Sequence, residues 1–486
     1  MQFCNSASTK SSVSRLNAAL LMSLAAVGSA SAATLSVGPG KTYAAPCAAF
    51  AKAQAGDVVE IDGSKTYSGD VCAISANDLT IRGVNGRPKI DAAGKNAQGK
   101  AIWVVKGNNI KVENVEMYGA KVPDKNGAAL RLEGTNFTLR SSFLHDNENG
   151  ILSGANANSN VVVEYSEFGY NGAGDGYSHN LYIGNIASLV FRFNYSHDAN
   201  VGHNLKSRAK VNTIAYNRFS STPAGQTGST KSGKPSYEID LPNGGTSYII
   251  GNVIHQPASH NNPGMVSYAM EGATNPGQDL YVVNNTFLND DSSRGTFVQI
   301  ASKVTTPALL QNNIFGGTGT VTNNTTAIDK NNFRSVAPGF VNRTAYDLRP
   351  TANALVINAG TAPGKAKSGF DLTPTAQYKH TAQSEARPAS GALDIGAYET
   401  GTATPTSPAP AVPAPAPSNP APGVTWTQCA AEGGTCSFTG TREVRYGVPG
   451  YYNTKVVTAK TACTNAVFGD PKKSTAKFCS YSSLAK

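Results

Sequence analysis

Charged residues are scarce in this chain and tryptophan is nearly absent. Asp, Glu, Lys and Arg make up 15% of its 486 residues, and there are two Trp. No Lys/Arg-rich run and no DNA-reading motif occurs, which argues against nucleic acid as a partner. No apolar stretch is long enough to cross a bilayer, so we expect no membrane span. No segment of useful length has helical periodicity, which excludes a helical protein.

Turn-forming residues and positive charge are what the chain has instead. It contains 49 Gly and 26 Pro and carries a formal net charge of +10. The composition is typical of a turn-rich β protein. A basic surface favours an anionic partner, and with nucleic acid ranked low the remaining candidates are a membrane surface and an acidic polysaccharide.

The first 32 residues have the pattern of a signal peptide. Lys10 and Arg15 are followed by the short apolar stretch 16–27, and then by small residues at 30–32. This order predicts cleavage and a secreted protein, extracellular or periplasmic. We do not expect 16–27 to be a membrane anchor, because it is too short to span a bilayer.

Cysteine usage agrees with an oxidising compartment. Of seven cysteines, Cys4 leaves with the signal peptide, and six remain. Their spacings lack the CxxC pairs of zinc sites, so we expect disulfides. Two lie near the N-terminus and four near the C-terminus: Cys47, Cys72, Cys429, Cys436, Cys463 and Cys479.

A Pro/Ala/Thr-rich tract divides the chain. Residues 401–423 read as an extended linker between a body, 33–400, and a C-terminal module, 424–486.

We expect the protein to act as a monomer.

The body is repetitive. Similar three-residue phrases recur every 23 to 35 residues, and the segments between them are short, alternating and strand-like. This period predicts an all-β solenoid, a right-handed parallel β-helix with three strands per rung. The phrases end at Phe143, Phe168, Ser196, Phe219, Ile254, Phe287 and Phe315. Insertions at 222–235 and 256–264 lengthen two rungs.

Recurring asparagines and phenylalanines are expected to be structural. Stacked turn asparagines can hydrogen-bond along the axis, and stacked phenylalanines can fill the core. The asparagines are Asn194, Asn217, Asn252, Asn285 and Asn313, and we expect each Phe of the phrases to be core. A short amphipathic helix at 47–56, pinned by a Cys47–Cys72 bridge, is expected to cap the N-terminal end.

Three alternating stretches between 177 and 243 are the candidate site. Leu181, Leu205 and Ile239 occupy equivalent positions, 24 and then 34 residues apart. If these three face the core, the alternating polar residues are expected to share one solvent-facing patch. These residues are Asn180, Tyr182, Asn204, Lys206, Arg208, Glu238 and Asp240.

Several motifs of the body resemble those of secreted bacterial parallel β-helix proteins of the pectate-lyase-like superfamily. The resemblance covers about residues 34–400, and it implies the fold more than the reaction. The opening motifs are 56–61 and 79–83, and the closing ones are 347–348, 357–360 and 394–399.

One strand also resembles the chondroitinase B and alginate lyase family, in which a rung lysine is the general base. Leu205-Lys206-Ser207, followed by a strand ending in Tyr216-Asn-Arg-Phe219, is similar to the family phrase. The family places an Arg on the next rung, whereas this chain has Glu238 and Asp240 there. The resemblance implies β-elimination on a uronate-containing polysaccharide, with Lys206 as the base.

Chemical reasoning assigns the other roles. Arg208, two residues from Lys206, is expected to depress the pKa of the lysine and to bind a carboxylate. Tyr182 is the expected acid, and His179 or His203 is an alternative base. The expected substrate-binding residues are Asn180, Asn204, Glu238 and Asp240.

Other functions stay open at this point. Glu238 and Asp240, two apart on a strand, are close enough for a glycoside hydrolase pair. A uronan C5-epimerase and a non-catalytic glycan-binding or adhesive protein are further alternatives. We expect no required cofactor, although Glu238 and Asp240 could contribute to a calcium site.

The C-terminal module resembles small disulfide-linked β modules that are appended to secreted glycan-degrading enzymes. Exposed aromatic side chains stack on sugar faces, and Arg pairs with acidic groups. We therefore expect Arg445 and Tyr446 to bind glycan, while Trp426 is as readily a core residue.

Overall fold

The computed structural model describes residues 32–221, 234–401, 426–448, 451–472 and 475–485. Residues 1–31 of the predicted signal peptide, most of the linker and most of the insertion at 222–235 lie outside these residues. The domain boundaries therefore stay predictions.

Three parallel sheets form the body in the described residues, with twelve, eleven and ten strands. We name them sheets A, B and C. They confirm the expected parallel β-helix, because the chain visits A, B and C in turn and each strand pairs with the strand one rung away. The strands of sheet A are Thr34–Val37, Val58–Asp62, Thr80–Val84, Ile110–Glu113, Phe137–Arg140, Asn156–Glu164, Ile186–Arg192, Val211–Ala215, Thr246–Ile250, Leu280–Val283, Leu309–Gln311 and Ile328–Lys330. Those of sheet B are Thr66–Ser68, Lys89–Asp91, Glu116–Tyr118, Phe143–His145, Glu167–Gly169, Tyr195–His197, Arg218–Ser220, Val253–Gln256, Thr286–Asn289, Ile314–Gly317 and Phe333–Ser335. Those of sheet C are Cys72–Ile74, Ala101–Val105, Ala128–Leu132, Asn149–Ser153, Leu181–Ile183, Leu205–Ser207, Ile239–Leu241, Gly264–Tyr268, Thr296–Ile300 and Thr320–Thr322.

The core fills the space inside the three sheets. In sheet A, Ile81, Val112, Leu139 and Val163 stand in register on successive rungs, and all four are fully buried. Alternate residues of each strand point outward, so one short apolar run per strand is enough to build the interior.

The expected asparagine ladder is confirmed. Asn217 and Asn252 show its unit: the backbone N–H and side-chain amide of Asn217 both donate to Oδ1 of Asn252, each at 2.9 Å. The same pattern connects Asn194 to Asn217, Asn252 to Asn285, and Asn285 to Asn313. Each side chain thereby satisfies turn groups that water cannot reach.

One of the predicted core phenylalanines is not in the core. Phe143 is only half-buried and stacks on the ring of His145 at 4.2 Å. Leu144, in register with Phe168, takes the inward position instead. The phrase at 141–143 is thus offset by one residue, and a one-residue shift in a strand exchanges its two faces. Phe168, Phe219, Phe287 and Phe315 are buried as expected.

The N-terminal cap is a single short helix, Pro46–Phe50, which is shorter than predicted. The Cys47–Cys72 disulfide pins it to the first strand of sheet C, as expected. Phe50 packs edge-on against the buried Trp103 at 5.1 Å, closing the core.

Two antiparallel strand pairs follow the last rungs. Phe340–Asn342 pairs with Asp347–Pro350, and Ala376–Lys379 pairs with Gln383–Ala386. This segment packs on the outside of the solenoid, for example where Phe370 stacks on Tyr248 at 4.1 Å.

The C-terminal module is an antiparallel sheet with the short helix Asn465–Phe468. Its strands are Trp426–Ala431, Thr435–Val448, Tyr451–Ala462 and Phe478–Ala485. The disulfides Cys429–Cys436 and Cys463–Cys479 tie it together. Across the described parts of the chain, no helix has the length and apolarity that a membrane crossing requires.

Candidate functional site

Three neighbouring strands of sheet C bring the candidate residues together. Tyr182, Lys206 and Asp240 stand in register on successive rungs, with their side chains on the outer face. Leu205 and Ile239 are paired on the inner face and are fully buried. The spacing of the three stretches therefore does correspond to one rung each, as the sequence predicted.

Lys206 lies between two carboxylates. Its Nζ is 3.1 Å from Asp240 Oδ2 and 2.6 Å from Glu271 Oε1. Lys206 is 7% exposed and Asp240 is 3% exposed, whereas the Glu271 side chain is 47% exposed. Asp240 is thus a buried partner, and Glu271 is a partner at the solvent boundary.

The electrostatics of Lys206 differ from the expectation. Burial favours a lower pKa, but the charge of Asp240 and hydrogen bonds to Glu271 and Asp240 outweigh it, so the pKa of the Lys206 ammonium is raised. The predicted depression of this pKa by Arg208 is wrong, because the nearby carboxylates dominate.

Arg208 is held in a network that includes the same glutamate. Its Nε donates to the Tyr182 hydroxyl oxygen at 2.7 Å, and its Nη2 donates to Glu271 Oε2 at 2.5 Å. Its Nη1 donates to Asn243. Glu271 therefore bridges Lys206 and Arg208, with one carboxylate oxygen on each cation.

His179 and His203 are stacked behind this network. Their ring centroids are 4.6 Å apart, and the planes are nearly parallel. Nδ1 of His179 accepts the backbone N–H of His203 at 3.0 Å, and Nδ1 of His203 accepts that of Tyr237 at 3.1 Å. Burial, with a contribution from Lys206, lowers the pKa of His203 to about 3, and burial also lowers the pKa of His179.

These contacts speak against either histidine as a general base. A neutral imidazole has one unprotonated nitrogen, and in both rings that nitrogen already accepts a backbone N–H. The proton is then on Nε2, and Nε2 of His203 lies 3.5 Å from Asp240 Oδ2. Nε2 of His203 is therefore directed toward Asp240, while the ring of His179 packs behind it.

Three of the predicted solvent-facing residues point inward instead. Asn180 and Asn204 are fully buried, and Glu238 is 1% exposed. The strands begin only at Leu181, Leu205 and Ile239, so these three residues precede them in the turn, where strand alternation does not apply.

Inside the solenoid, Asn180, Asn204 and Glu238 form a second ladder, a line of side chains that hydrogen-bond from rung to rung. The side-chain amide of Asn180 donates to Asn204 Oδ1 at 2.9 Å, and the amide of Asn204 donates to Glu238 Oε2. Burial raises the pKa of Glu238 to about 8, and its Oε1 has no hydrogen-bond partner among the described residues. Direct substrate contact by these three side chains is therefore not supported by their placement.

Glu238 and Asp240, the two carboxylates of the hydrolase alternative, do not face the same surface. Glu238 faces the interior, and Asp240 lies on the outer face beneath Lys206. Within the described ranges, no group of three or more His, Cys, Asp and Glu side chains is arranged to hold a metal ion. Glu238 and Asp240 direct carboxylate oxygens to Asn204 and Lys206 respectively.

In the C-terminal module the two predicted glycan-binding residues, Arg445 and Tyr446, lie on opposite faces of the sheet. Tyr446 is fully buried, with its hydroxyl bonded to Glu432 at 2.6 Å, so the expectation that it stacks on sugar is wrong. Arg445 is sandwiched between two rings, with its Cζ 4.4 Å from the centroid of Trp426 and 4.3 Å from that of Tyr452. The neighbouring residues of one strand face opposite sides of the sheet.

Two residues of the network were not among the predicted site residues, although Glu271 could be considered as an extension of the patch from sequence. Glu271 and Asn243 both contact Arg208, and both follow strands of sheet C. The signal for Glu271 was its place just after Gly264–Tyr268, the strand one rung beyond Asp240.

Comparison with known proteins gives structural likeness only. No protein-family model matches the chain, and no curated protein matches it. The solved structure of pectate lyase Pel9A is similar with a TM-score of 0.52 and 18% identity, covering 73% of this chain and 90% of that one. A pectin methylesterase in complex with a hexasaccharide has a TM-score of 0.30 and 12% identity over 65% of this chain and 98% of that one. ORF18 of Geobacillus virus E2 has a TM-score of 0.34 and 12% identity over 59% of this chain and 56% of that one. The likeness to Pel9A supports the β-helix fold.

Glu238→Gln tests the burial of a neutral carboxyl at the end of the second ladder. The pKa of Glu238 rises from 4.5 to about 8 on folding. Between these pH values the unfolded chain has lost the proton that the folded chain keeps, so stability falls as pH rises. In the unchanged protein the free energy of unfolding should decrease as pH rises from 4.5 to about 8. In Glu238→Gln, which has no proton to lose, this decrease should be smaller by several kcal/mol.

Urea unfolding at a series of pH values measures this difference. Glu60→Gln, at a surface glutamate of sheet A that pairs with Arg82, is the matched control. Parallel pH curves for Glu238→Gln and the unchanged protein would contradict the assignment of a neutral Glu238.

Proposed function

We propose that the protein is a secreted polysaccharide lyase that cleaves a uronate-containing glycan by β-elimination. The observation that carries the proposal is the Glu271 carboxylate held by Lys206 at 2.6 Å and Arg208 at 2.5 Å, beside Tyr182. A partly exposed carboxylate on two cations marks a place that suits the carboxylate of a uronate. The fold shared with an enzyme named as a pectate lyase supports the same substrate class.

The chemistry begins when the substrate carboxylate takes the place of Glu271. Arg208 then neutralises the carboxylate, which makes the neighbouring C5 proton more acidic and stabilises the enolate-like intermediate. Lys206 first loses its own proton to solvent and in this neutral form accepts the C5 proton, and Asp240 stabilises the ammonium that results. The electron pair forms the C4–C5 double bond as the C4–O bond breaks, and Tyr182 protonates the leaving oxygen.

Secretion is part of the proposal. The three disulfides fit an oxidising compartment, in line with the N-terminal pattern of the sequence. The positive net charge of +10 favours adsorption to an anionic polymer.

A glycan-binding protein without catalysis is the second candidate. Its support is the raised pKa of Lys206, which keeps the lysine protonated at neutral pH and suits binding better than proton removal. A C5-epimerase would share the proton removal and differ in the fate of the intermediate, which returns a proton to C5 and keeps the chain intact.

Lys206→Ala distinguishes these functions. We expect the protein to generate the ultraviolet absorbance of unsaturated uronate from at least one of a panel of acidic glycans. The variant should lose this activity by at least about 100-fold, since general base catalysis contributes about 100- to 10,000-fold. The exposed Lys111 of sheet A, changed to Ala, is the control.

The other outcomes each point elsewhere. New reducing ends without absorbance would indicate a hydrolase, and exchange of the C5 proton without cleavage would indicate an epimerase. Binding of glycan with none of these signals would leave the binding protein in front.

Glu271→Gln tests whether Lys206 is the base. Lys206 must lose its proton before it can act, so kcat/KM should rise as pH rises through the pKa of the lysine. Glu271 contributes to raising that pKa, and the variant should therefore move the midpoint of the pH profile downward. It should also lower KM, because the internal competitor for the cations is gone.

A pH series of kcat/KM with Glu271→Gln and the control Glu60→Gln provides the measurement. A profile that stays in place while KM falls would assign Lys206 to carboxylate binding and the proton removal to another group.

We further propose that the C-terminal module binds the same class of glycan through Trp426, Arg445 and Tyr452. The guanidinium lies between two aromatic rings, and both rings are partly exposed. Aromatic rings suit sugar faces, and the stacked arginine supplies a cation for an acidic group.

Trp426→Ala in the full chain tests this surface. We expect retention on an insoluble acidic polysaccharide to drop several-fold, while turnover of soluble oligosaccharide stays unchanged. Lys455→Gln, which removes an exposed cation from the same module, is the control. Equal retention of Trp426→Ala and Lys455→Gln would contradict the proposed binding surface.

A further inference from the structure

We propose that Arg131 is a second carboxylate-binding position of the glycan groove, several sugar units from the reacting bond. This inference rests on the proposed acidic glycan and adds the direction in which the chain lies. It is carried by the register of sheet C and by the partly exposed side chain of Arg131, which makes no hydrogen bond at Nε within the described residues.

The register puts Arg131 in the same outward column as the candidate site. Arg131 pairs with Leu152, Leu152 with Tyr182, and Tyr182 with Lys206. Three strand spacings separate Arg131 from Lys206, which is about 14 Å along the axis. An extended polysaccharide lying along the column would reach both cations at once.

The guanidinium of Arg131 has donors to spare. Its Nε is buried and has no hydrogen-bond partner in the part of the chain that the structure describes. The carboxylate closest to it is Glu133, whose Oε1 is 3.9 Å from Nε. That oxygen is already bonded to Lys100 Nζ at 2.6 Å. Glu133 is thus engaged by Lys100, and the guanidinium of Arg131 keeps its charge available for another carboxylate.

The side chain is also within reach of a ligand. It is 27% exposed, although its Nε is covered. Its register neighbours Val104 and Leu152 are apolar and offer no competing acceptor. A planar guanidinium at such a position suits bidentate binding of a carboxylate.

Charge along the column also fits an anionic ligand. The outward residues from Arg131 through Leu152 to Tyr182 carry no negative charge. The nearest carboxylates are already paired, Glu133 with Lys100 and Asp240 with Lys206. We therefore place the bound glycan along this column, between Lys206 and Arg131.

The test compares two ligand lengths. Calorimetry measures the Kd of a uronate disaccharide and of a hexasaccharide, in the Lys206→Ala background so that no turnover occurs. Arg131→Gln should weaken hexasaccharide binding about tenfold, the scale of one lost charge-assisted hydrogen bond, and should leave disaccharide binding unchanged. Arg131→Lys, which keeps the charge but loses the fork, should fall between.

Arg82→Gln is the matched control. Arg82 is an exposed arginine of sheet A that pairs with Glu60, away from the column. Thermal unfolding of each variant verifies that the fold is retained. Equal losses for both ligand lengths, or none for the hexasaccharide, would overturn the role of Arg131.

The outcomes separate this inference from the proposed function. A length-dependent loss in a protein that produces no unsaturated uronate would support Arg131 and overturn the lyase. Elimination activity together with hexasaccharide binding that does not depend on Arg131 would support the lyase and overturn the role of Arg131. Absence of binding to any acidic oligosaccharide would overturn both.

Discussion

The in-register stacking of rungs, enforced by buried asparagines at the turns, is the constraint on which the rest of the structure depends. Each ladder asparagine bonds backbone and side-chain groups of its neighbours, as Asn217 does with Asn252. Any slip between rungs would leave these buried amides without partners, and each such loss costs about 1–3 kcal/mol. The same stacking aligns outward side chains into columns about 4.8 Å apart. Tyr182, Lys206 and Asp240 come together because they occupy one such column, although they are far apart in sequence.

Burial of Lys206 creates a conflict that the site has to accommodate. A lysine that is 7% exposed needs a counter-charge, and Asp240 supplies one at 3.1 Å. That pairing raises the pKa of the ammonium, which opposes its use as a base. The stacked histidines do not relieve the conflict, because each already accepts a backbone N–H at Nδ1. If Lys206 accepts a proton from substrate, the site favours alkaline pH, and Asp240 then stabilises the product of the transfer.

The repeat, the first ladder and the alignment of Leu181, Leu205 and Ile239 could be predicted from sequence, because each depends on local alternation and period. The inward turn of Asn180, Asn204 and Glu238 could not be, since it depends on where each strand begins, and a one-residue difference reverses a side chain. The offset of Phe143 has the same origin. The direction of the Lys206 pKa was also not predicted, because it depends on how closely the carboxylates of Asp240 and Glu271 approach Nζ. Glu271 is 31 residues beyond Asp240 and joins the site only through the next rung. In the module, the sequence suggested both Arg445 and Tyr446, but adjacent residues of a strand cannot share a face.

The two carboxylates that pair with Lys206, those of Asp240 and Glu271, differ in the free energy needed to remove them from the lysine. Breaking the pair with buried Asp240 would leave an uncompensated charge, at a cost of about 3–5 kcal/mol. The Glu271 side chain is 47% exposed and can turn into water, and Lys206 keeps Asp240 as its buried counter-charge when Glu271 leaves. A ligand carboxylate can therefore replace Glu271 on Lys206 and Arg208, since it restores the same contacts, while Asp240 stays. A neutral sugar or an esterified uronate has no carboxylate to offer, so Glu271 would have to stay bound to Lys206 and Arg208. If a uronate displaces Glu271 as proposed, this exchange would make the site selective for ionised carboxylates before any chemistry takes place.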